Sequence, residues 1–391
     1  MKSKMRRVST ALALVAAAAI ALTGCASNSG GSDAGAKAKN CKTLTTAQAQ
    51  KATSADDFGG FDCLVAAAEK EGHLNVITLP PSWANYGKII AGFEKKYPGI
   101  KINSENPDGS SQDEVDAANN DKGQSTAPDV FDIGTTVLEQ NMDIVTPYKV
   151  QNWDDIPTDF KDPDGKWYYD YTGVMSIGYD SSKIKTAPKS LNDLLGSEYK
   201  NSVAIKMSPV KANEALMSVV LAALDNGGSA DNLQPGVDWF KKLKDAGNYI
   251  PTVASQATVN NGETPVVIQW SFNNVGWGDE SQGGNPNFKT VIPSGPAVGS
   301  YYNQAVAAWG PNPAAARLWE EYLYTPEVQN LYLAAGAFPA TLDAMTKAGK
   351  VDEDALKSAG GQPSSITLLS DDQATKAGTF IAKAWPAAMG Q

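Results

Sequence analysis

The chain carries a single histidine, His73, among 391 residues. Histidine is the side chain whose ordinary pKa suits general acid–base work near neutral pH. Here it stands at the edge of the apolar run 74–79 with no serine or cysteine motif around it. The patterns GxSxG, HExxH and the phosphate-binding GxxxxGK[ST] do not occur, and Gly276-Trp277-Gly278 lacks the third glycine of a dinucleotide loop. No CxxC pair or Cys/His cluster is present to hold structural zinc. The carboxylate pairs Asp154-Asp155, Glu320-Glu321 and Asp371-Asp372 are adjacent in sequence, the pattern of solvated faces. Asp162-Pro163-Asp164-Gly165 reads as a turn and not as a metal loop. The expectation is therefore a protein that is not an enzyme and takes no cofactor or metal. Of the other class, only a secreted hydrolase using two distant carboxylates, such as a glycosidase, escapes a motif search. What remains is binding chemistry.

Binding residues must be placed by elements, and these alternate. Residues 74–79 read as a strand stopped by Pro80-Pro81. Ser82 then reads as an N-cap of a helix with Trp83, Tyr86, Ile89, Ile90, Phe93 and Tyr97 on one face, ended by Pro98-Gly99. Strand 100–103, helix 112–120 and strand 130–133 follow. This β-α-β-α-β order implies a largely parallel sheet with helices on both faces. In such sheets ligands sit outside the carboxyl ends of the strands, here 80–83 and 134–136. After the aromatic stretch 167–171, the extended chain 173–180 leads to helix 190–195, strand 203–206 and helices 213–224 and 235–245. Two further strands are expected at 266–270 and 291–293. From Pro313 onward the chain reads as helical, with Ala316, Leu318, Trp319, Tyr322 and Leu323 as a core stripe. The length exceeds what one core usually serves, so two lobes are expected. The net charge of −10 argues against nucleic acid as a partner.

At the N-terminus, Lys2, Lys4, Arg6 and Arg7 precede twelve apolar residues, 11–22, too few to span a bilayer. They read as an export signal over 1–24. Leu22-Thr23-Gly24-Cys25 resembles the lipobox of bacterial lipoproteins, whose cysteine is lipidated and becomes the mature N-terminus. The resemblance implies a chain anchored to the outer face of the cell membrane through Cys25. Residues 26–39, rich in Ser, Gly and Ala, would form a flexible tether with a reach of roughly 20 Å. Removing the signal takes away four positive charges and brings the net charge to −14. With Cys25 lipidated, Cys41 and Cys63 are left as an even pair in an oxidising compartment, and a disulfide between them is expected.

Several segments, in order, resemble the extracellular solute-binding proteins of ABC importers. They are Ala68-Glu69-Lys70-Glu71-Gly72, Phe93 through Ile100, Ala127-Pro128-Asp129-Val130, Asn312 through Leu323 and Pro326-Glu327-Val328-Gln329. The chain is most similar to the branch that takes polyamines, ferric iron, thiamine and phosphonates. The resemblance implies the type II periplasmic-binding-protein fold: two α/β lobes, each a mixed, mainly parallel sheet flanked by helices, joined by a hinge. It implies a monomer that closes on a small-molecule solute and presents it to permease subunits. Residues 25–40 would be the lipidated tether, 41–172 the first lobe, 173–265 the second, 266–305 a return to the first, and 306–391 a helical part mostly in the second. Cleft candidates are Ser82, Trp83, Asp132, Thr135 and Thr136 from the first lobe, and Ser208, Lys211 and Asn213 from the second. Trp270, Ser271, Phe272 and Asn273 after the return strand, and Tyr301 and Tyr302 after a Pro-Ser-Gly-Pro turn, complete them. Aromatic faces with Asp132, Asp279 or Glu280 suit a polyamine or other organic cation. Lys211 and helix ends would suit a small anion such as a phosphonate. Paired phenolates at Tyr301-Tyr302 would suit ferric iron, although in iron-binding relatives the tyrosine pair precedes the segment equivalent to 291–293.

Overall fold

The computed structural model describes residues 41–390 apart from 108 and 364. The export signal, Cys25 and the tether lie outside the described residues. Eleven strands are described: β1 (His73–Ile77), β2 (Lys101–Glu105), β3 (Val130–Gly134), β4 (Val145–Thr146), β5 (Tyr168–Asp180), β6 (Val203–Ile205), β7 (Val266–Trp270), β8 (Phe288–Val291), β9 (Ala297–Ala307), β10 (Phe338–Pro339) and β11 (Ile366–Thr367). β1 and β2 pair in parallel. The other nine form one mixed sheet with the central path β11-β9-β5-β7-β6. The amide of Asp129, just before β3, donates to Asn75 O on β1 and links the two sheets.

The α/β, two-lobed fold class holds, with a smaller parallel share than expected. β6–β7 and β11–β9 are parallel, whereas β5 and β9 run antiparallel to each other, and β3, β4, β7, β8 and β10 pair antiparallel with one or the other. The reason is β9, an eleven-residue strand that reverses the chain beside β3.

Two large cores explain the two lobes. The first is built from residues between Ala49 and Tyr171 together with Val306 to Ala337, including Leu64, Phe93, Trp319 and Tyr332. The second runs from Met175 to Val298 and adds Ala377, Ile381, Trp385 and Met389 of the last helix. β5 contributes Tyr168 and Tyr171 to the first core and Met175 and Ile177 to the second. β9 likewise contributes Val306 and Val298. These two strands carry the chain between lobes. The cores distribute the later segments differently from the expected division. Residues 266–270 pack in the second core, and the helices Pro313–Leu323 and Pro326–Ala334 pack in the first. The cause is again β9, which returns the chain to the first lobe only at its far end.

Helix boundaries follow local chemistry. Helix Ser111–Asn120 starts at a capping box of Ser110 with Asp113. The helix expected to start at Ser82 begins instead at Tyr86, behind Asn85 at φ 64°, and Ser82 is an exposed turn residue. Thr78, Ala84 and Asn85 all have positive φ. For β-branched Thr78, at φ 54°, this is a strained conformation of the kind that gathers at functional sites. Cys41 and Cys63 form a disulfide that fastens the N-terminal segment to helix Phe61–Glu71.

Candidate functional site

Three adjoining cavities of about 680, 430 and 450 Å³ form one cleft. Ser111 and Tyr302 line both the first and second, and Trp83 lines both the second and third. The middle cavity is lined by Thr78, Pro80, Trp83, Gly109, Ser110, Ser111, Asp132 and Tyr302. Thr78, Pro80 and Trp83 follow the end of β1, Gly109 and Ser110 lie between β2 and helix Ser111–Asn120, which Ser111 begins, and Asp132 and Tyr302 come from β3 and β9. The loops after β1 and β2 are the strand-end position that open α/β sheets offer to ligands.

Its walls are aromatic. Trp83 packs against Phe272, with ring centroids 4.8 Å apart, and edge-on to Tyr302 at 6.1 Å. Phe272 touches both large cores, so this contact sits where the lobes meet. The Trp83 indole N–H donates to the Tyr171 hydroxyl, which itself lies 3.4 Å from Asp132 Oδ2. The Tyr86 hydroxyl lies 2.9 Å from the same oxygen. Asp132 Oδ1 is buried and accepts no hydrogen bond from any described residue. Burial pushes the Asp132 carboxyl up to about 7, against the opposing pull of its two phenol bonds.

Two more acids stand behind it. Asp170 is fully buried and its carboxyl is raised by burial and then by the charge of Asp132. Glu114 is raised by burial despite its bond from the Thr78 hydroxyl, and its Oε2 accepts nothing among the described residues. The ion pairs found among the described residues are Lys206–Glu214, Lys241–Asp245 and Lys376–Asp372, none of which reaches these three acids. The middle of the cleft thus has Asp132 under two aromatic faces with Asp170 and Glu114 buried behind it, and two carboxylate oxygens, Asp132 Oδ1 and Glu114 Oε2, lack a donor among the described residues.

The expected residues divide. Trp83, Asp132 and Tyr302 line the middle cavity. Ser82, Phe272, Asn273 and Asp279 line the 450 Å³ cavity; the Asn273 amide is held by Glu214 Oε1 at 2.7 Å, and the Asp279 carboxylate is occupied by Ser281 and Gln282. Thr135, Asn213 and Tyr301 line the 680 Å³ cavity, and Asn303 Nδ2 donates to the Thr135 hydroxyl at 3.0 Å. The side chain of Thr136 lies outside the described residues. Glu280 is exposed and lines none of the three.

Two candidates serve structure instead, and two lie away from the cleft. Trp270 is buried in the second core. The Ser271 hydroxyl donates to Gly336 O at 2.5 Å and accepts from the Val174 amide at 3.1 Å, which leaves it no part in the cleft. Ser208 lies with exposed Lys211 on the loop before helix Asn213–Asp225, and neither lines the three cavities. Tyr301 and Tyr302 alternate across β9, as successive strand residues must. Tyr301 stacks on Tyr169 and packs tilted against Phe160, while Tyr302 stacks on Tyr171, so the two rings belong to different sets. Burial raises both phenols far above their ordinary value and keeps them neutral.

Tyr86, Tyr171, Asp170 and Glu114 were not expected at the site. Tyr86 fits a helical core stripe and Tyr171 an aromatic strand, and only their hydroxyls give them away. Among the described residues, no group of three or more His, Cys, Asp or Glu is arranged to hold a metal ion. No described helix is long and apolar enough to cross a membrane.

Residues 127–360, more than half of the chain, match the family model for bacterial extracellular solute-binding proteins. No curated protein sequence matches. Among solved structures, a putative extracellular solute-binding protein from Bordetella parapertussis is similar at a TM-score of 0.62 and 19% identity, covering 82% of this chain and 99% of that one. The spermidine/putrescine ABC transporter substrate-binding protein PotD of Streptococcus pneumoniae is similar at 0.61 and 16%, covering 81% and 99%. The ferric iron-binding protein A of Mannheimia haemolytica, in an open conformation, is similar at 0.58 and 19%, covering 81% and 98%. At these identities the structures speak for the fold and the family model for the class. The chain belongs to the bacterial extracellular solute-binding family, and is an extracytoplasmic solute-binding protein.

Proposed function

We propose that the cleft captures a small organic cation bearing N–H donors, of the polyamine class, and that closure of the two lobes about β5 and β9 readies it for the permease. The observation that carries this reading is Asp132. One of its oxygens faces two phenols and the other faces none, in a cavity walled by Trp83 and Tyr302. An ammonium donor would satisfy the free oxygen, and each aromatic face adds about 0.5 to 2 kcal/mol of cation–π attraction. A small anion is disfavoured because the middle cavity offers it Asp132 and, among the described residues, no lysine or arginine. Ferric iron is disfavoured by the divergence of Tyr301 and Tyr302. Anchoring of a monomer through a lipidated Cys25 completes the reading, supported by the Leu-Thr-Gly-Cys motif.

A thermal-shift series with putrescine, spermidine, a phosphonate and ferric citrate tests the ligand class. A ligand at 100 times its dissociation constant adds about 2.7 kcal/mol of stability. A rise with the amines and none with the others is expected; a rise with phosphonate or ferric citrate alone overturns the reading. Cys25→Ser is expected to move the protein from the membrane fraction to the medium, and continued membrane retention would remove the anchor.

A further inference from the structure

Tyr86 stands between two carboxylates. Its hydroxyl lies 2.9 Å from Asp132 Oδ2 and 3.2 Å from Asp170 Oδ2. A phenol has one proton to donate, so it serves one acid at a time. Gln304 Nε2 at 3.1 Å and the Tyr332 hydroxyl at 3.3 Å face the same Tyr86 oxygen.

The two acids are not equivalent. Asp170 accepts on Oδ1 from the Tyr171 amide at 2.7 Å and on Oδ2 from Gln304 Nε2 at 2.8 Å, so both oxygens are served. Asp132 is served on Oδ2 only. Hydrogen bonds to a carboxylate favour its charged form. The other titratable groups acting on Asp132 are Glu114 from helix Ser111–Asn120, Glu320 from helix Pro313–Leu323, and the phenols of Tyr171, Tyr302 and Tyr332. All are acids or phenols. Two buried carboxylates joined through one phenol resist losing both protons, and titrate as a pair.

We propose that Asp132 and Asp170 share one proton through Tyr86, with the negative charge resting on Asp170 in the empty cleft and moving to Asp132 when an amine docks. The exchange balances. The Asp132 carboxyl proton passes to the Tyr86 oxygen as the Tyr86 proton passes to Asp170 Oδ2, and none leaves for solvent. Asp170 is a positioning residue, acting on the ligand only through Asp132. The inference rests on the cation reading of the preceding section. Its consequence is that amine affinity stays nearly flat with pH where an isolated buried carboxylate would lose about tenfold per pH unit below its pKa.

Calorimetric titration of the full chain with putrescine between pH 5.5 and 8, in two buffers of different ionisation enthalpy, tests it. The wild type is expected to release close to no protons on binding near neutral pH, with a dissociation constant that changes less than about threefold from pH 6.5 to 8. Asp170→Asn removes the second home for the proton. Its affinity should change about tenfold per unit below a midpoint, release a proton there, and cross the wild-type curve. A merely structural role for Asp170 would displace the whole curve without changing its slope. Parallel curves, or a wild type that releases a full proton across the range, overturn the proposal. Should Asp170→Asn fail to fold, the wild-type proton count decides alone. Absence of binding by any amine to the wild type instead overturns the cation reading itself.

Discussion

Replacing Asp132 with Asn tests the site at its centre. The amide keeps the shape of the carboxylate, and its oxygen can still face the Tyr86 and Tyr171 hydroxyls at the position now 2.9 and 3.4 Å from them. Its NH₂ then occupies the place of the unpartnered Oδ1 and presents hydrogens to the incoming ammonium. The lost interaction is a hydrogen bond between charged groups, worth about 1.5 to 3 kcal/mol. At about 1.4 kcal/mol per tenfold, this predicts roughly 10- to 100-fold weaker amine binding. The aromatic faces of Trp83 and Tyr302 are untouched, so binding weakens without vanishing. In a thermal-shift assay at 100 times the wild-type dissociation constant, the stabilisation falls from about 2.7 kcal/mol to about 0.9 kcal/mol for a 30-fold loss. With about 2.1 cal/mol/K of unfolding entropy per residue over roughly 350 residues, that is a shift of about 4 °C reduced to about 1 °C. Ser208→Ala, outside the cleft, serves as control and should keep the full shift. An Asp132→Asn protein that retains the wild-type response would refute the assignment of Asp132 as the ligand's counter-charge.

Three further outcomes follow from the same geometry. Burial pushes Glu71 to about 7 and Asp129 to about 6, and raises Glu114 and Glu320 in the same direction. A carboxyl raised on folding favours the native state while protonated, and that advantage is lost as pH rises from about 4 through the folded value. The ligand-free protein should therefore melt at a higher temperature near pH 5 than at pH 8, and a scanning-calorimetry series that rises instead would contradict this. At Gly173 on β5, an added Cβ would lie 2.5 Å from Phe272 Cε1 and 3.2 Å from Trp270 Cδ2. Gly173→Ala should push Phe272 against Trp83, at a cost of about 1 to 3 kcal/mol, and weaken amine binding; unchanged stability and affinity would show that the ring moves freely. Cys41→Ser with Cys63→Ser opens a loop of 22 residues, for which chain entropy predicts a loss of about 3 kcal/mol. Denaturant titration should show it with the ligand affinity unaltered.

How much of this could be read from the sequence depended on which physical signal each part carries. Strands β1, β3 and β7 are short apolar runs bounded by polar or turn residues, and they were legible as such. Helix Gln234–Asp245 announces itself by its apolar face. β9 does not: Ala297-Val298-Gly299-Ser300-Tyr301-Tyr302-Asn303-Gln304 has Gly and Ser at its centre and two amides after its aromatics, a pattern that reads as loop. Its stability comes from partners on both sides, β3 and β5, which periodicity does not reveal. Missing β9 also misplaced the segments around it among the lobes. At the site, Trp83 was legible because strand ends are where ligands bind, Asp132 as a carboxylate suited to a cation, and Tyr302 as one of two adjacent tyrosines after a turn. Tyr86 and Tyr171 were not, since a tyrosine buried for its ring and one buried for its hydroxyl look alike until the hydroxyl's partner is known.

The least legible feature explains why the site exists where it does. Along a regular strand, consecutive side chains point to opposite faces, so Asp170 and Tyr171 should not serve the same cluster. Yet Asp170 faces Tyr86 while the Tyr171 hydroxyl reaches Asp132 and the Trp83 indole. The register of β5 against β9 shifts between Tyr169 and Thr172, and an irregularity of this kind breaks the alternation. Both residues are thereby turned toward Asp132, which lies opposite Gln304 on β9. Gln304 in turn holds Asp170 at 2.8 Å. The acid pair is thus fastened to β5 and β9, the two strands that continue into the second core. A cation drawn to Asp132 consequently acts on the strands that join the lobes, and Trp83 meets Phe272 at the same junction. Straightening β5 by deleting Asp170 should therefore abolish amine binding while sparing the second core, whose tryptophans Trp239 and Trp385 would keep their native fluorescence; retention of binding in that deletion would separate the irregularity from the site.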